Sequence, residues 1–71
     1  MTLSELILHT RKSANLTQSE LGELAGVGKT VIWDLEHGKR TIRLETLLKV
    51  LASLNIDIIA RSPITGEDVD L

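Results

Sequence analysis

Residues 22–30 read GELAGVGKT and end in Gly28-Lys29-Thr30, a tripeptide typical of loops that bind nucleotide phosphates. Such a loop needs a glycine, then four residues, then Gly-Lys-Ser/Thr, on a turn between a buried strand and a helix. Counting back from Gly28, the required glycine falls on Glu23, and Gly22 lies one residue too early. The spacing therefore argues against a nucleotide-handling enzyme, and the glycines need another explanation.

The chain is short: its 71 residues correspond to one small domain. A domain of this size buries only about 60% of its unfolded surface, so its core is marginal without further support. No cysteine is present and two isolated histidines cannot complete a metal site, so disulfides and a bound metal are not expected. No cofactor or small-molecule ligand is predicted either. The remaining way to bury more surface is oligomerisation, which predicts a homodimer.

The net charge of −2 is unusual for a nucleic-acid-binding protein, but the charges are distributed unevenly. Lys39, Arg40 and Arg43 cluster in mid-chain, whereas Glu67, Asp68 and Asp70 lie near the end. The chain can therefore present a basic face to DNA. No apolar run approaches the roughly 18 residues that span a bilayer and no export signal is present, so a soluble cytoplasmic protein is expected.

Apolar residues recur at helical spacing over most of the chain and predict four to five short helices. Thr17 and Glu20 have the T-x-x-E spacing of a capping box, which opens the second helix. Asn15, Gly26 and Gly38 are placed to end the first three helices. The predicted inward-facing residues are Leu3, Leu6, Ile7, Thr10 and Ala14, then Leu21, Leu24 and Ala25, then Ile32 and Leu35, then Leu44, Leu47, Leu48, Leu51 and Leu54.

Residues 56–61 are rich in β-branched side chains and too short for another helix, so they predict a strand. A single strand has no partner in an otherwise helical domain. Two copies are therefore expected to pair antiparallel across a dimer through Ile56, Ile58 and Ile59. Residues 1–62 form the predicted domain, and residues 63–71 a flexible acidic tail.

Gln18–Ala25 and Lys29–Glu36 are two short helices joined by a tight turn. Gly26 supplies the positive φ that such a turn needs, and Gly22 lets the second helix approach the first closely. These are the requirements of the helix-turn-helix unit that reads DNA.

Residues 16–40, LTQSELGELAGVGKTVIWDLEHGKR, resemble the helix-turn-helix of the xenobiotic-response-element family, which includes the Cro and phage-repressor proteins. The matching residues are Leu16, Thr17, Gln18, Leu21, Leu24, Ala25, Gly26, Val27, Ile32, Leu35, Glu36, Gly38 and Lys39. With its flanks the likeness covers residues 3–55. It implies an all-α, lambda-repressor-like bundle and a non-enzymatic repressor that binds double-stranded DNA at a palindromic operator as a homodimer.

In that family the second helix of the unit lies in the major groove. The resemblance gives Lys29, Thr30, Trp33 and Asp34 the base-reading positions. Lys29 would contact guanine or only phosphate, Thr30 a base or its own helical turn, and Asp34 cytosine or a nearby cation. Trp33 would contact DNA sugar or a thymine methyl, or else a partner protein or the fourth helix.

The residues expected to contact phosphate are Gln18, Gly28, Lys39, Arg40 and Arg43. Gly28 departs from the serine or threonine usual in the family, which puts one phosphate contact in doubt. Arg11 and Glu36 align with a family pair that forms an internal salt bridge. His9 and His37 receive no functional role.

The fourth helix, followed by an Ile-rich strand and no large effector domain, is similar to the HipB-like antitoxins of toxin–antitoxin operons. In those proteins the C-terminal strands of two chains pair to make the dimer. The likeness implies a kinase-like toxin as partner. Restriction–modification controllers and phage-type repressors share the fold without a toxin partner, so both remain alternatives.

Overall fold

The computed structural model describes all 71 residues, as four helices followed by a two-stranded hairpin. Helix α1 spans Leu3–Ser13, α2 Gln18–Ala25, α3 Lys29–Glu36 and α4 Leu44–Ser53, and strands β1 (Ile59–Arg61) and β2 (Asp68–Asp70) pair antiparallel. The helical bundle predicted from the apolar spacing is confirmed. None of its helices is long and apolar enough to cross a membrane.

Helix ends follow the local chemistry of the sequence. The capping box is present: the Glu20 N–H donates to Thr17 Oγ1 at 3.0 Å, and the Thr17 N–H donates to Glu20 Oε1 at 2.8 Å. Asn15, Gly26 and Gly38 have φ values of 58°, 72° and 83°, the left-handed conformation that ends helices. These short-range predictions are all confirmed.

A single core forms where α2 packs against α3 and α4 while α1 packs against α3. Its buried members are Ile7, Leu21, Ala25, Ile32, Leu35, Val50, Leu51 and Leu54. Every helix contributes to this one cluster, so the orientation of each helix depends on the others.

The predicted inward faces of α2 and α4 are partly wrong. Leu24 is 63% exposed and Leu44 57% exposed, while Val50, which was not predicted, is completely buried. On α2 the buried face is centred on Leu21, Gly22 and Ala25, because Gly22 is where the turn that leads into α3 comes closest. That centre turns Leu24 towards solvent.

On α1 the prediction is right for Ile7 and wrong for Leu3 and Leu6, for a different reason. Leu3 and Leu6 are exposed at the rim, and the buried residues are Ile7 and Arg11. Arg11 occupies a core position because Glu36 compensates its charge there. A hydrophobic pattern gives a charged residue no weight, so it placed Leu3 and Leu6 on the buried face of α1 and left out Arg11.

The hairpin corrects the predicted lone strand and flexible tail. Strand β1 is shorter than the predicted 56–61, and its partner is β2 of the same chain, with Ile59 opposite Asp70, Ala60 opposite Val69 and Arg61 opposite Asp68. The Arg61 Nε donates to Asp68 Oδ1 at 3.0 Å across the two strands. Strand β2 was missed because its sequence, Asp-Val-Asp, contains one apolar residue between two carboxylates.

Candidate nucleic-acid interface

Helix α3 is the element with the largest set of predicted site residues, and its orientation is set by the turn before it. A Cβ on Gly22 would lie 2.8 Å from the carbonyl oxygen of Val27, so only glycine allows the turn to pass this close to α2. Gly26 makes the turn with φ 72°. Two predicted roles, the close approach at Gly22 and the turn at Gly26, are thereby confirmed.

The outer side of α3 carries the predicted base-reading residues together. Ile32 and Leu35 face the core, whereas Lys29, Thr30 and Trp33 are exposed and Asp34 is half-buried. Residues three and four apart lie on one face of a helix, so Lys29, Thr30 and Trp33 form one surface. The element that precedes Gly28-Lys29-Thr30 is helix α2, whereas a nucleotide-binding loop follows a buried strand.

A buried ion pair joins the three helices that position this surface. Arg11 of α1 donates through Nε and Nη2 to the Glu36 carboxylate of α3, at 2.5 and 3.0 Å. Gln18, the first residue of α2, donates to the same carboxylate at 3.0 Å, and Arg11 also reaches the Leu16 carbonyl at 2.8 Å. We call Arg11, Gln18 and Glu36 the charge triad. It contains the internal pair implied by the family resemblance.

The charge triad holds Glu36 in its ionised form. Burial alone would raise the pKa of Glu36, but hydrogen bonds from Arg11 and Gln18 and the charge of Arg11 outweigh it and lower that pKa below its ordinary value. The pKa of Arg11 is raised, chiefly by its hydrogen bond to Glu36. The pKa of Glu20 is also lowered, because the Thr17 backbone N–H donates to its carboxylate.

These pKa shifts predict loss of stability in acid. A carboxylate whose pKa is depressed on folding contributes stability above its unfolded-state pKa, about 4.3 for glutamate, and loses that contribution as pH falls through the lower folded-state value. Urea unfolding followed by helical circular dichroism between neutral pH and pH about 3 should show this decline. Glu36→Gln leaves Arg11 without its counter-charge and should be less stable at neutral pH, so its decline with acid should be flatter than that of the wild type while a folded baseline is still measurable. Glu20→Gln should remove a smaller part of the decline. An equally steep decline in Glu36→Gln would contradict the assignment.

Gln18 and Lys39 have partners inside the protein besides any DNA contact. The Gln18 amide uses one of its two N–H groups for Glu36, which leaves the other for a phosphate. Lys39 Nζ lies 3.4 Å from Asp34 Oδ2, in an exposed pair. Asp34 was expected to contact either cytosine or a nearby cation, and in the free chain it pairs with the cation Lys39. A solvent-exposed ion pair adds little to the stability of the fold, so it can break when DNA binds.

The loop between α3 and α4 presents the basic cluster. Lys39, Arg40 and Arg43 are all exposed. Arg43 is the N-cap of α4 and makes no side-chain capping bond, so the first N–H groups of α4 lie beside these cations without a side-chain acceptor. Gly28 likewise caps α3 without a side-chain bond. Both helix starts have donors that suit a phosphate oxygen.

Sequence reasoning missed one residue of this surface, His37. Its ring stacks on Trp33, with ring centroids 3.6 Å apart and planes 14° from parallel. The two residues are four apart, at the end of a helix, so their spacing was a usable signal. The predicted dimer residues lie elsewhere: Ile56 and Ile58 pack against the core, and Ile59 of β1 is exposed.

Comparisons with known proteins agree with this geometry. A protein-family model described as "Helix-turn-helix" matches residues 7–59. The "Uncharacterized HTH-type transcriptional regulator y4mF" of Sinorhizobium fredii is 45% identical over 60 residues, which span 82% of this chain and 79% of that protein.

Three solved structures are similar over most of the chain. A chain of the HipA-HipB-O2-O3 complex superposes with a TM-score of 0.75 at 26% identity, covering 86% of both chains. SinR in complex with DNA gives a TM-score of 0.67 at 32% identity, covering 78% of this chain and 89% of that one. The restriction-modification controller C.AhdI of Aeromonas hydrophila gives 0.69 at 26%, covering 76% and 82%.

Proposed function

The chain belongs to the helix-turn-helix family of the xenobiotic-response-element, or Cro, type, and we propose that it is a repressor that binds a palindromic operator as a homodimer. In this proposal α3 lies in the major groove, and a second copy places its own α3 in the next groove, about 34 Å away. Repression follows sterically, because the bound dimer occupies the promoter. The promoter of its own operon is the expected target.

The exposed face of α3 is the observation that carries the proposal. Lys29, Thr30 and Trp33 project from a helix whose position is fixed by the charge triad and by the close approach at Gly22. Lysine donates to guanine O6 or N7, and threonine contacts a base edge or a thymine methyl. Asp34 accepts from cytosine N4 when it releases Lys39.

Phosphates on either side of the groove are assigned to groups that flank α3. The exposed side chains of Lys39, Arg40 and Arg43 supply the charge. The backbone N–H groups at the start of α3 and α4, together with the second amide N–H of Gln18, supply directed donors. This set explains how a chain with a net charge of −2 binds a polyanion.

Strand β1 supplies the dimer contact in this proposal. The bonds from Leu71 N to Ile58 O and from Ser62 N to Glu67 O mark the hydrogen-bonded pairs of the hairpin, so the backbone groups of Ile59 and Arg61 point away from β2. That free edge can pair antiparallel with the same edge of a second copy. The result is a four-stranded sheet.

The other edge of the hairpin is unsuited to such pairing. Two β2 strands related by a two-fold axis at Val69 would place Asp68 opposite the partner's Asp70, and directly opposed like charges destabilise a sheet. Apolar surface is available beside β1: Ala60 and Val69 share one face of the hairpin. Next to that face is a groove of about 420 Å³ whose apolar lining consists of Leu48, Leu51, Ala52, Ile56, Ile58 and Leu71.

A disulfide test follows from this edge, since the chain has no cysteine of its own. With the two-fold axis at Ala60, the two Ala60 residues form a non-hydrogen-bonded pair with Cα atoms about 4.5 Å apart. Ala60→Cys should therefore oxidise to a covalent dimer on a non-reducing gel. The matched control, Val69→Cys on β2, should stay monomeric. Equal cross-linking of both variants would contradict pairing through β1.

DNA binding itself is tested by selection from a pool of duplexes with a randomised centre. Enrichment of a palindrome is expected, and its affinity should fall steeply with salt. Removing one phosphate contact with Arg40→Ala should lower the log–log salt slope by about one unit, whereas Lys49→Ala on α4 should leave it unchanged. Failure to enrich any sequence, or binding without salt dependence, would overturn the proposal.

Two versions of this function are supported by particular neighbours. The match to the HipA-HipB-O2-O3 chain covers 86% of the sequence, more than α1–α4 alone, and favours an antitoxin that also holds a kinase-like toxin. The likeness to C.AhdI favours a restriction–modification controller, which would have no such partner. A phage-type repressor is the other alternative without a toxin partner. Co-purification with the product of a neighbouring toxin gene supports the first version; a neighbouring methyltransferase gene supports the second.

A further inference from the structure

Trp33 and His37 form a stacked aromatic pair on the outer side of α3. The two ring centroids are 3.6 Å apart and the planes are 14° from parallel. Trp33 is 49% exposed and lies on the same face as Lys29 and Thr30, one turn earlier in the helix. The imidazole therefore stacks on one face of the indole, and about half of the surface of Trp33 remains open to solvent.

His37 is held on Trp33 by its own backbone and side chain. Its N–H donates to the Trp33 carbonyl at 3.0 Å, and its Nδ1 lies 2.7 Å from the same oxygen. A carbonyl oxygen can only accept, so this contact requires the tautomer with its proton on Nδ1, and it orients the ring over Trp33. The side chain makes no other hydrogen bond and is exposed, so its removal leaves the core intact.

We propose that His37 is a positioning residue for DNA recognition: its ring holds the Trp33 indole so that the open face of the indole packs on a deoxyribose or a thymine methyl. This inference rests on the proposed function, since it assigns how one residue of the same surface is prepared for DNA. A side chain that is already ordered loses less conformational freedom when it binds. The apolar contact itself is of the kind that reads thymine in the major groove.

The free protein provides the first test, because Trp33 is the sole tryptophan and the chain has neither tyrosine nor phenylalanine. Time-resolved fluorescence anisotropy therefore reports the motion of this one indole. His37→Ala should add a fast component that the wild type lacks, and His37→Phe, which keeps a flat ring for stacking, should suppress it. Unchanged indole motion in His37→Ala would overturn the positioning role, provided that the urea midpoint shows an intact fold.

The second test measures affinity for the duplex selected from the randomised pool. His37→Ala should weaken binding about two- to tenfold, the cost of ordering one side chain on binding. His37→Phe should recover most of that loss. In a Trp33→Ala background His37→Ala should have no further effect, and His9→Ala, an exposed histidine of α1, should have none in either background.

The outcomes separate this inference from the proposed function. If the wild type binds the selected duplex but His37→Ala binds equally well, the inference is wrong and the repressor function stands. Equal losses with and without Trp33 would also overturn it, because His37 would then act independently of the indole. If the wild type itself binds no selected duplex, both the function and the inference fail.

Discussion

Glu36→Ala is expected to destabilise the domain by about 3–5 kcal/mol, because it leaves the buried Arg11 guanidinium without its counter-charge. The side chains of Arg11 and Glu36 are only 11% and 2% exposed, so water cannot replace the lost carboxylate. In a domain of about 70 residues without disulfides or metals, a single hydrophobic core rarely supplies more than about 3–5 kcal/mol of stability. The variant should therefore be largely unfolded at moderate temperature.

Urea and thermal unfolding, followed by helical circular dichroism, measure this loss. The matched control is Glu45→Ala, which removes the exposed pair between Glu45 and Lys49 on α4 and should cost at most about 0.5 kcal/mol. Replacing both members of the buried pair, as in Arg11→Met with Glu36→Met, should recover much of the loss, since no unpaired charge remains. An unchanged melting temperature in Glu36→Ala would refute the structural role of the charge triad.

Gly22→Ala is expected to separate α2 from α3 and to weaken DNA binding by at least about tenfold. The added Cβ would lie 2.8 Å from the Val27 carbonyl, a backbone atom that can move only if the whole turn moves. Overpacking of this kind costs about 1–3 kcal/mol, which exceeds or offsets the roughly 1 kcal/mol that alanine gains over glycine inside a helix. Displacing α3 moves all of its base-contacting side chains at once. Since each good base contact contributes about 1–3 kcal/mol, DNA affinity should fall markedly.

Gly28→Ser is the matched control for this variant. A Cβ on Gly28 meets nothing within 4 Å, and the residue has an ordinary φ of −73°. Serine should add the missing capping bond to α3, raise the free energy of unfolding by a few tenths of a kcal/mol, and leave DNA affinity at or above the wild-type value. If Gly22→Ala bound the selected duplex as tightly as Gly28→Ser, the close approach at Gly22 would not position α3.

Local features of the fold could be predicted from sequence because their causes are local. The capping box at Thr17 and Glu20, and the left-handed turn at Gly26, depend only on residues a few positions apart. Leu24 and Leu44 were wrongly predicted to face inward. Hydrophobic periodicity shows that a helix has one buried face, but it does not show which residue lies at the centre of that face. On α2 that centre is set by the packing contact at Gly22, and on α1 it is shifted by a charged core residue, Arg11; Leu44 is the first residue of α4.

The sequence predicted most residues of the candidate site, but it did not predict all of the hydrogen bonds between them. The exposed side of α3 and the Arg11–Glu36 pair were expected, the first from the spacing of Ile32 and Leu35 and both from family likeness. The third member of the charge triad, the Gln18 amide, depends on how three helices meet, which no local pattern encodes. The hairpin was missed because β2 has too few apolar residues for a strand signal, and its pairing relies on register and on the Arg61–Asp68 bridge.

The central claim is that the exposed face of α3 enters the major groove of an operator, and tethered cleavage tests it directly. A single cysteine can carry an iron-chelate cleavage reagent at a unique position, since the natural chain has none. Thr30→Cys places the reagent on α3, and Thr65→Cys places it on the exposed turn between β1 and β2. Both variants are bound to the selected duplex, and complex formation is confirmed by mobility shift.

We predict that the label at position 30 cuts the duplex inside the palindrome at two places about one helical turn, or 34 Å, apart. The label at position 65 should leave the palindrome uncut. Bound complexes in which position 30 cuts nothing, or in which position 65 cuts the same base pairs, would contradict the claim that α3 reads the DNA.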